Sequence, residues 1–518
     1  MKLNALAMFF MIMDYYYFLR CTLLFFFFFF ISIFLITTAK YQKLRSRSLP
    51  PSPPAIPILG HIHLLKHPLH RSLKSISDNY GPIVYLRSGV RRILVVSSPE
   101  IAEECLTKND IIFANRPNSA ATKSLSYNNT TIGFAPYGDY WRNLRRVTST
   151  NIFSPLSLQN SSSIRVEEIR LTVKKLLKSA ESDSEKWTEL DLSCLLKELV
   201  HNTIMRMTCG KNWSKSADVF QQVIPLTNNV DSFPILKWIG FVGGTLKKLK
   251  KLQSERDRVL QDIVDDCRRR NNGGGGVDKR KRTVVEALLG VQEAEPEYYT
   301  DDIIKGLASV MFTAGADTTN VTMQWAMSLL LDHPEVLAKA KKELENKIPQ
   351  GHLIEDDDLP KLPYLSSIIN ETLRLFPAVP LLLPHFSSED CTVSGYTVPK
   401  NTTLFVNVWA IHMDPNIWEE PTKFKPERFE GIELGNDKGF KFLPFGKGRR
   451  ACPGNTLAMR YLGLVLGTLI QCFDWKRLGD ETHVDLEEKG GVLTIQKAKP
   501  LKALYKPRFS AANGVSID

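Results

Sequence analysis

Apolar residues recur every three to four positions over residues 161–182, 186–209, 245–270 and 301–331, the period of helices that bury one face. Residues 83–96 break that period. They set two β-branched runs around Ser88-Gly89 and predict a hairpin. A third pattern fits neither class. Residues 21–39 carry no charge over nineteen positions and include six consecutive phenylalanines. As a helix the run is about 28 Å long, close to a bilayer's hydrocarbon thickness. The chain is therefore predicted to be mainly α with a small β-rich portion, preceded by one transmembrane helix.

The flank of the apolar run decides how it is read. Lys40, Lys43, Arg45 and Arg47 follow it with no acidic residue between them, which puts that side in the cytosol by the positive-inside rule. A cleaved signal peptide is the competing reading, but its apolar region is typically about 7–15 residues and ends in small residues. The expected organisation is a short lumenal tail over 1–20, an anchor over 21–39 and a basic, Pro-rich hinge over 40–60. The main body runs over 61–508, and a flexible tail over 509–518 ends the chain. Residues 1–20 could equally extend a tilted span. In the hinge, Pro50, Pro51, Pro53, Pro54 and Pro57 cannot continue a helix and make a semi-rigid spacer. Asn271-Asn272 and Gly273 to Gly276, flanked by cations, read as a flexible loop between helices.

Composition narrows the class. With 43% hydrophobic and 24% charged residues, the 518-residue chain is neither disordered nor a many-pass transporter. Its eight cysteines are too sparse for a zinc ribbon or a redox pair, so a reducing compartment is the natural setting. The charge of 67 − 55 = +12 suits a body near an anionic leaflet or an acidic partner. It is spread along the chain without a nucleic-acid-binding signature, so no nucleic-acid role is expected. If the body is cytosolic, the acceptor sites at Asn128, Asn160, Asn212, Asn320 and Asn401 stay unglycosylated.

Residues 442–454, Phe-Leu-Pro-Phe-Gly-Lys-Gly-Arg-Arg-Ala-Cys-Pro-Gly, hold the densest chemistry. Glycines allow tight turns and close approach to a flat ligand. Cys452 stands just before an apolar helix over 457–469, where a thiolate is favoured. Arg450 can pair with an acidic group of the same ligand. Read without context, this is a glycine-rich turn with a buried structural cysteine. Thr313 to Thr319 interrupt the long helical pattern, and Asp317-Thr318 could simply cap a second helix starting at Asn320. Glu371 and Arg374 could be a surface i,i+3 pair. His61, His63, His67 and His70 are the rival metal site, but Pro68 interrupts any shared helix face and no nearby Cys or carboxylate closes a zinc tetrahedron.

The pattern Phe445-x-x-Gly448-x-Arg450-x-Cys452-x-Gly454 resembles the haem-binding loop of the cytochrome P450 family. The resemblance implies that fold around haem b, with Cys452 as axial ligand of the haem iron and Phe445 and Gly446 in the haem-binding loop. It gives Asp317 and Thr318 the acid–alcohol role that relays protons during oxygen activation. Glu371, Arg374 and Arg428 become a buried structural triad. Trp141, Arg145, Arg450 and His385 would meet the haem propionates, His385 standing where many members have Arg. Val310, Ala314, Val379, Leu381 and Leu382 would wall the substrate pocket. Arg142, Arg146, Lys447 and Arg449 would form a basic face for an acidic electron donor, with a merely solvated face as the alternative. The chain has neither G-x-G-x-x-G nor a P-loop, so electrons should come from NADPH through a separate flavoprotein, NADPH-cytochrome P450 reductase, in the endoplasmic reticulum membrane. Residues 324–328, 380–385 and 406–412 are similar to the plant family numbered 81. That family hydroxylates isoflavones, indole glucosinolates and diterpenoids, or closes lignan methylenedioxy bridges and xanthone rings. The expected function is oxygen-dependent hydroxylation of an apolar small molecule, most simply a phenolic. A non-monooxygenase haem enzyme and a membrane-tethered haem-binding protein are the other classes.

Overall fold

The computed structural model describes residues 48–180, 186–211, 219–220, 243–272, 282–431, 439–479, 483–489 and 493–508, with scattered helical positions between 15 and 32. Most of the expected lumenal tail and anchor, the Gly273 to Gly276 loop and the tail 509–518 lie outside them. Among the described residues no helix is long and apolar enough to cross a membrane.

The predicted hairpin forms from Ile83–Ser88 and Arg91–Val96, with Gly89 at φ 56° in its two-residue turn. Its second strand then runs parallel to Thr402–Val406, with Leu94 opposite Leu404. The short strand His385–Phe386 closes the other edge of this four-stranded sheet. That edge brings residues 380–386 next to the core of the molecule.

Helices make up the rest. Ser162–Ala180, Leu192–Cys209 and Gly243–Asn272 follow the predicted periods. One boundary differs: residues 188–191 are a strand, not the start of a helix, because they pair with the distant strand Lys502–Pro507. Asp191 then caps the helix by accepting from the Cys194 N–H at 2.9 Å. The long helical pattern runs as Asp301–Val310, a π-helical turn Met311–Gly315 and Ala316–Asp332. It packs with Pro363–Leu375 and Asn455–Cys472 around Trp325, whose ring stacks on Phe376 at 3.9 Å. The histidine-rich segment is structural. His61 Nε2 donates to the Pro53 carbonyl at 2.9 Å and its Nδ1 accepts from the Arg87 N–H at 2.8 Å, while His70 faces Glu488.

Candidate active site

Residues 442–454 form a turn whose glycines are required by space as well as by backbone angle. Gly448 has φ 70°, and a Cβ there would lie 2.6 Å from the Leu106 carbonyl oxygen and 2.7 Å from Asp110 Oδ1. Asp110 holds the loop by accepting from the Arg449 backbone N–H at 3.1 and 3.2 Å. The Cys452 N–H donates to the Phe445 carbonyl at 2.9 Å, which folds the loop back on itself. One turn into the following helix Leu457, Met459 and Tyr461 are buried, yet Cys452 is exposed. Protein still surrounds it, so the sulfur lines a recess. Burial pushes its thiol up, against the N–H groups of Gly454 and Asn455 and the charge of Arg145. A bound metal cation would remove that penalty, since a coordinating thiol gives up its proton.

Arginines gather beside this loop. Arg450 donates to the carbonyls of Ala114, Ile132 and Ala135 at 2.6, 3.2 and 2.5 Å and lies 4.3 Å above the Trp141 ring. Arg145 donates to the Ala451 carbonyl at 2.8 Å. Arg116 reaches Gly133, Leu383 and Pro384 at 3.2, 2.7 and 2.9 Å. Desolvation, then the neighbouring cation, lowers Arg116 to about 9 and Arg450 to about 10. Among the described residues no carboxylate forms an ion pair with any of the three. The charge of Asp110 acts on Arg450, but three guanidinium groups gathered against one carboxylate are still unfavourable. The cluster therefore fits a ligand that carries carboxylates, and the accessible thiol fits a ligand that carries a soft metal. Haem has both.

Two of the residues expected at the propionates have their ring donors engaged within the protein. Trp141 spends its one N–H on the Ile132 carbonyl at 2.9 Å. His385 is buried, donates through Nδ1 to the Phe113 carbonyl at 2.9 Å, and is held at about 3 by desolvation and Arg116. Its neutral ring has no second donor. Arg116, whose charge acts on His385, is a cation of this cluster that sequence reasoning missed.

The π-helical turn carries the remaining chemistry. Thr313, Thr318, Thr319 and Thr322 each donate a hydroxyl to the carbonyl four residues back, at 2.7–2.9 Å, which loosens the helical ladder. Ala314 is exposed between buried Phe312 and Ala316, so the helix opens onto internal space there. Asp317 does not cap a helix. Its Oδ2 accepts from Thr494 at 2.9 Å and its Oδ1 from Gln496 at 3.4 Å, and burial raises its carboxyl above the usual range.

Glu371 and Arg374 are fully buried and bidentate, at 2.7 and 2.8 Å, and Arg428 joins Glu371 at 3.2 Å. Arg374 also donates to the His412 carbonyl at 2.8 Å. His412 Nδ1 donates back to the Arg374 carbonyl at 3.1 Å, and its Nε2 accepts the Leu443 N–H at 3.0 Å. Desolvation and the Arg374 charge keep His412 neutral, at about 3, as that pairing requires. His412 thus connects the triad to the start of the Cys452 loop.

A cleft of about 1110 Å³, counting its open mouth, lies beside the arginines. Pro380, Leu381, Leu382, Phe134, Phe405 and Thr494 are among its walls. Leu381 and Leu382 were expected to wall a pocket. Val310, Ala314 and Val379 are not among the residues lining this cleft.

An exposed thiol, beside three arginines without carboxylate ion pairs among the described residues and a helix opened by a π turn, fits a haem-thiolate protein. The Cytochrome P450 family profile matches residues 50–503, and the chain belongs to that family. Cytochrome P450 81Q32 of Catharanthus roseus is 48% identical over 90% of this chain and 92% of its own. The (+)-piperitol/(+)-sesamin synthase CYP81Q2 of Sesamum radiatum is 44% identical, covering 92% and 94%. The isoflavone 3'-hydroxylase of Medicago truncatula is 43% identical, covering 91% and 96%. A zebrafish cytochrome P450 solved with progesterone matches with TM-score 0.72 at 28% identity, covering 86% of this chain and all of that one. The enzyme is a haem-thiolate monooxygenase acting on a small molecule with O₂.

Proposed function

We propose that this monooxygenase hydroxylates an apolar plant phenolic, a flavonoid, isoflavone, lignan or xanthone precursor. The observation that carries the reading is the accessible Cys452 thiol in a chain that also holds a cleft walled by proline, leucine and phenylalanine. Such walls select shape and apolarity and leave orientation to few polar groups. The reaction is R–H + O₂ + 2e⁻ + 2H⁺ giving R–OH + H₂O, and haem supplies the redox chemistry when bound. Cys452 would hold the iron, and Arg116, Arg145 and Arg450 the propionates. Asp317 and Thr318 would handle the protons.

Electrons would come from NADPH through a separate flavoprotein reductase docking on the exposed Arg142, Arg146 and Arg449. The setting would be the endoplasmic reticulum membrane, with residues 21–39 as anchor and the body cytosolic. Similarity to the sesamin synthase favours a second reading, oxidative ring or bridge closure on the same haem. Microsomes containing the chain, titrated separately with phenolics and diterpenoids, separate the substrate classes by the shift of the haem Soret band. A saturable shift with phenolics followed by NADPH-dependent product supports the proposal. A shift with diterpenoids alone overturns it.

A further inference from the structure

The segment 493–498 returns from the end of the chain to the middle of the long helix and takes both oxygens of Asp317. Thr494 donates its hydroxyl to Oδ2 at 2.9 Å, and the Gln496 amide reaches Oδ1 and the Thr494 hydroxyl at 3.4 Å each. Backbone bonds fix this segment. Ile495 donates its N–H to the Ala378 carbonyl at 3.0 Å, and its own carbonyl accepts the Trp325 indole N–H at 2.6 Å. The Gln496 carbonyl accepts the Lys489 N–H at 2.8 Å. Thr494 is itself a wall of the cleft, together with Arg116 and Leu381. Next to Asp317 on the helix, the half-buried Thr318 donates its hydroxyl to the Ala314 carbonyl at 2.7 Å. Asp317 is therefore bonded to a residue that lines the cleft and is the chain neighbour of Thr318.

We propose that Thr494 is the positioning residue through which Asp317 meets the cleft, aiming Oδ2 so that the carboxyl takes its proton from that side. Gln496 steadies Oδ1. The inference rests on the reading of Asp317 and Thr318 as the proton-handling pair. A hydroxyl that donates to a carboxylate favours the charged form, so Thr494 also opposes the burial of Asp317. Lys197, on the helix Leu192–Cys209, acts in the same direction through its charge. Lys497 is engaged elsewhere, with its ammonium over the Trp325 ring at 4.6 Å and bonded to the Asp485 carbonyl.

The test compares full-length wild type, Thr494→Val, Thr494→Ser, Asp317→Asn and the Thr494→Val/Asp317→Asn double variant in microsomes. All must keep the reduced, CO-bound thiolate-haem spectrum, and Thr494→Ala replaces the valine variant if it does not. Difference infrared spectroscopy gives the ionisation midpoint of Asp317, assigned by its loss in Asp317→Asn. NADPH consumption and peroxide release, with an isoflavone that shifts the Soret band, give the coupling. Thr494→Val should raise the midpoint and cut coupled turnover about tenfold, the size of one hydrogen bond to a charged group. Thr494→Ser should restore most of both, and the double variant should be no worse than Asp317→Asn. If Asp317→Asn is impaired while Thr494→Val matches wild type, the role of Thr494 is overturned and the reading of Asp317 stands. If Asp317→Asn itself turns over normally, the acid–alcohol reading fails and this inference with it.

Discussion

His385 and Arg116 lie against the same short segment but differ in charge. The ring at 385 is neutral and has spent its donor on Phe113, whereas Arg116 remains charged and has no carboxylate partner among the described residues. Their variants should therefore separate. Arg116→Gln keeps hydrogen-bonding capacity but loses the charge, and haem should leave it roughly tenfold faster, measured by transfer to apomyoglobin. His385→Gln should retain haem like wild type, with any change confined to thermal stability. The sequence pointed to 385 because position in a motif is visible along the chain. Arg116 was invisible because the carbonyls that place it, Leu383 and Pro384, lie some 267 residues away. His412 was missed for the same reason: its partners Arg374 and Leu443 come together only in the fold.

Among elements, the buried triad and the C-terminal segment do different work. Removing Glu371 would strand Arg374, which is fully buried, and a broken buried pair costs about 3–5 kcal/mol. Glu371→Ala should melt well below wild type and lose the thiolate spectrum, since His412 carries the triad's position to Leu443. A second tie joins the helix Leu69–Tyr80 to the end of the chain, where Glu488 meets Arg71 at 2.6 Å and His70 at 3.1 Å. Burial alone would raise Glu488, but His70 and Arg71 outweigh it and hold the carboxyl below its usual range. Its contribution is present above the usual value near about 4 and is lost as pH falls through the lowered folded value. Glu488→Gln should be less stable than wild type by about 1–3 kcal/mol at neutral pH, with the difference shrinking in melts below about pH 4. Helices of one strong period were legible from sequence, as was the hairpin with its Gly89 turn. The strand Thr188–Asp191 was not, because its only cue is a partner strand three hundred residues on. The interruption at Thr313 to Thr319 was legible as loosened helix, but its π form depends on packing that periodicity does not encode.

At the scale of the whole molecule, the reaction class rests on one loop and the substrate on a cleft shared by distant segments. That is why Cys452 could be read from thirteen consecutive residues while only Leu381 and Leu382 of the expected walls reach the described cleft. The proposed anchor is independent of both. Deleting residues 1–47 should move the chain out of the membrane pellet at high salt while the body keeps its haem. The full chain should stay in the pellet with Asn128, Asn160, Asn212, Asn320 and Asn401 free of sugar, read by endoglycosidase sensitivity.

The measurement closest to the centre of the account is the reduced, CO-bound spectrum of wild type beside Cys452→Ala, both confirmed folded by circular dichroism. Wild type should show the red-shifted band of thiolate-ligated haem, and the alanine variant should lose it. A folded wild type without that band, or an alanine variant that keeps it, would contradict Cys452 as the iron ligand and with it the chemistry assigned to this site.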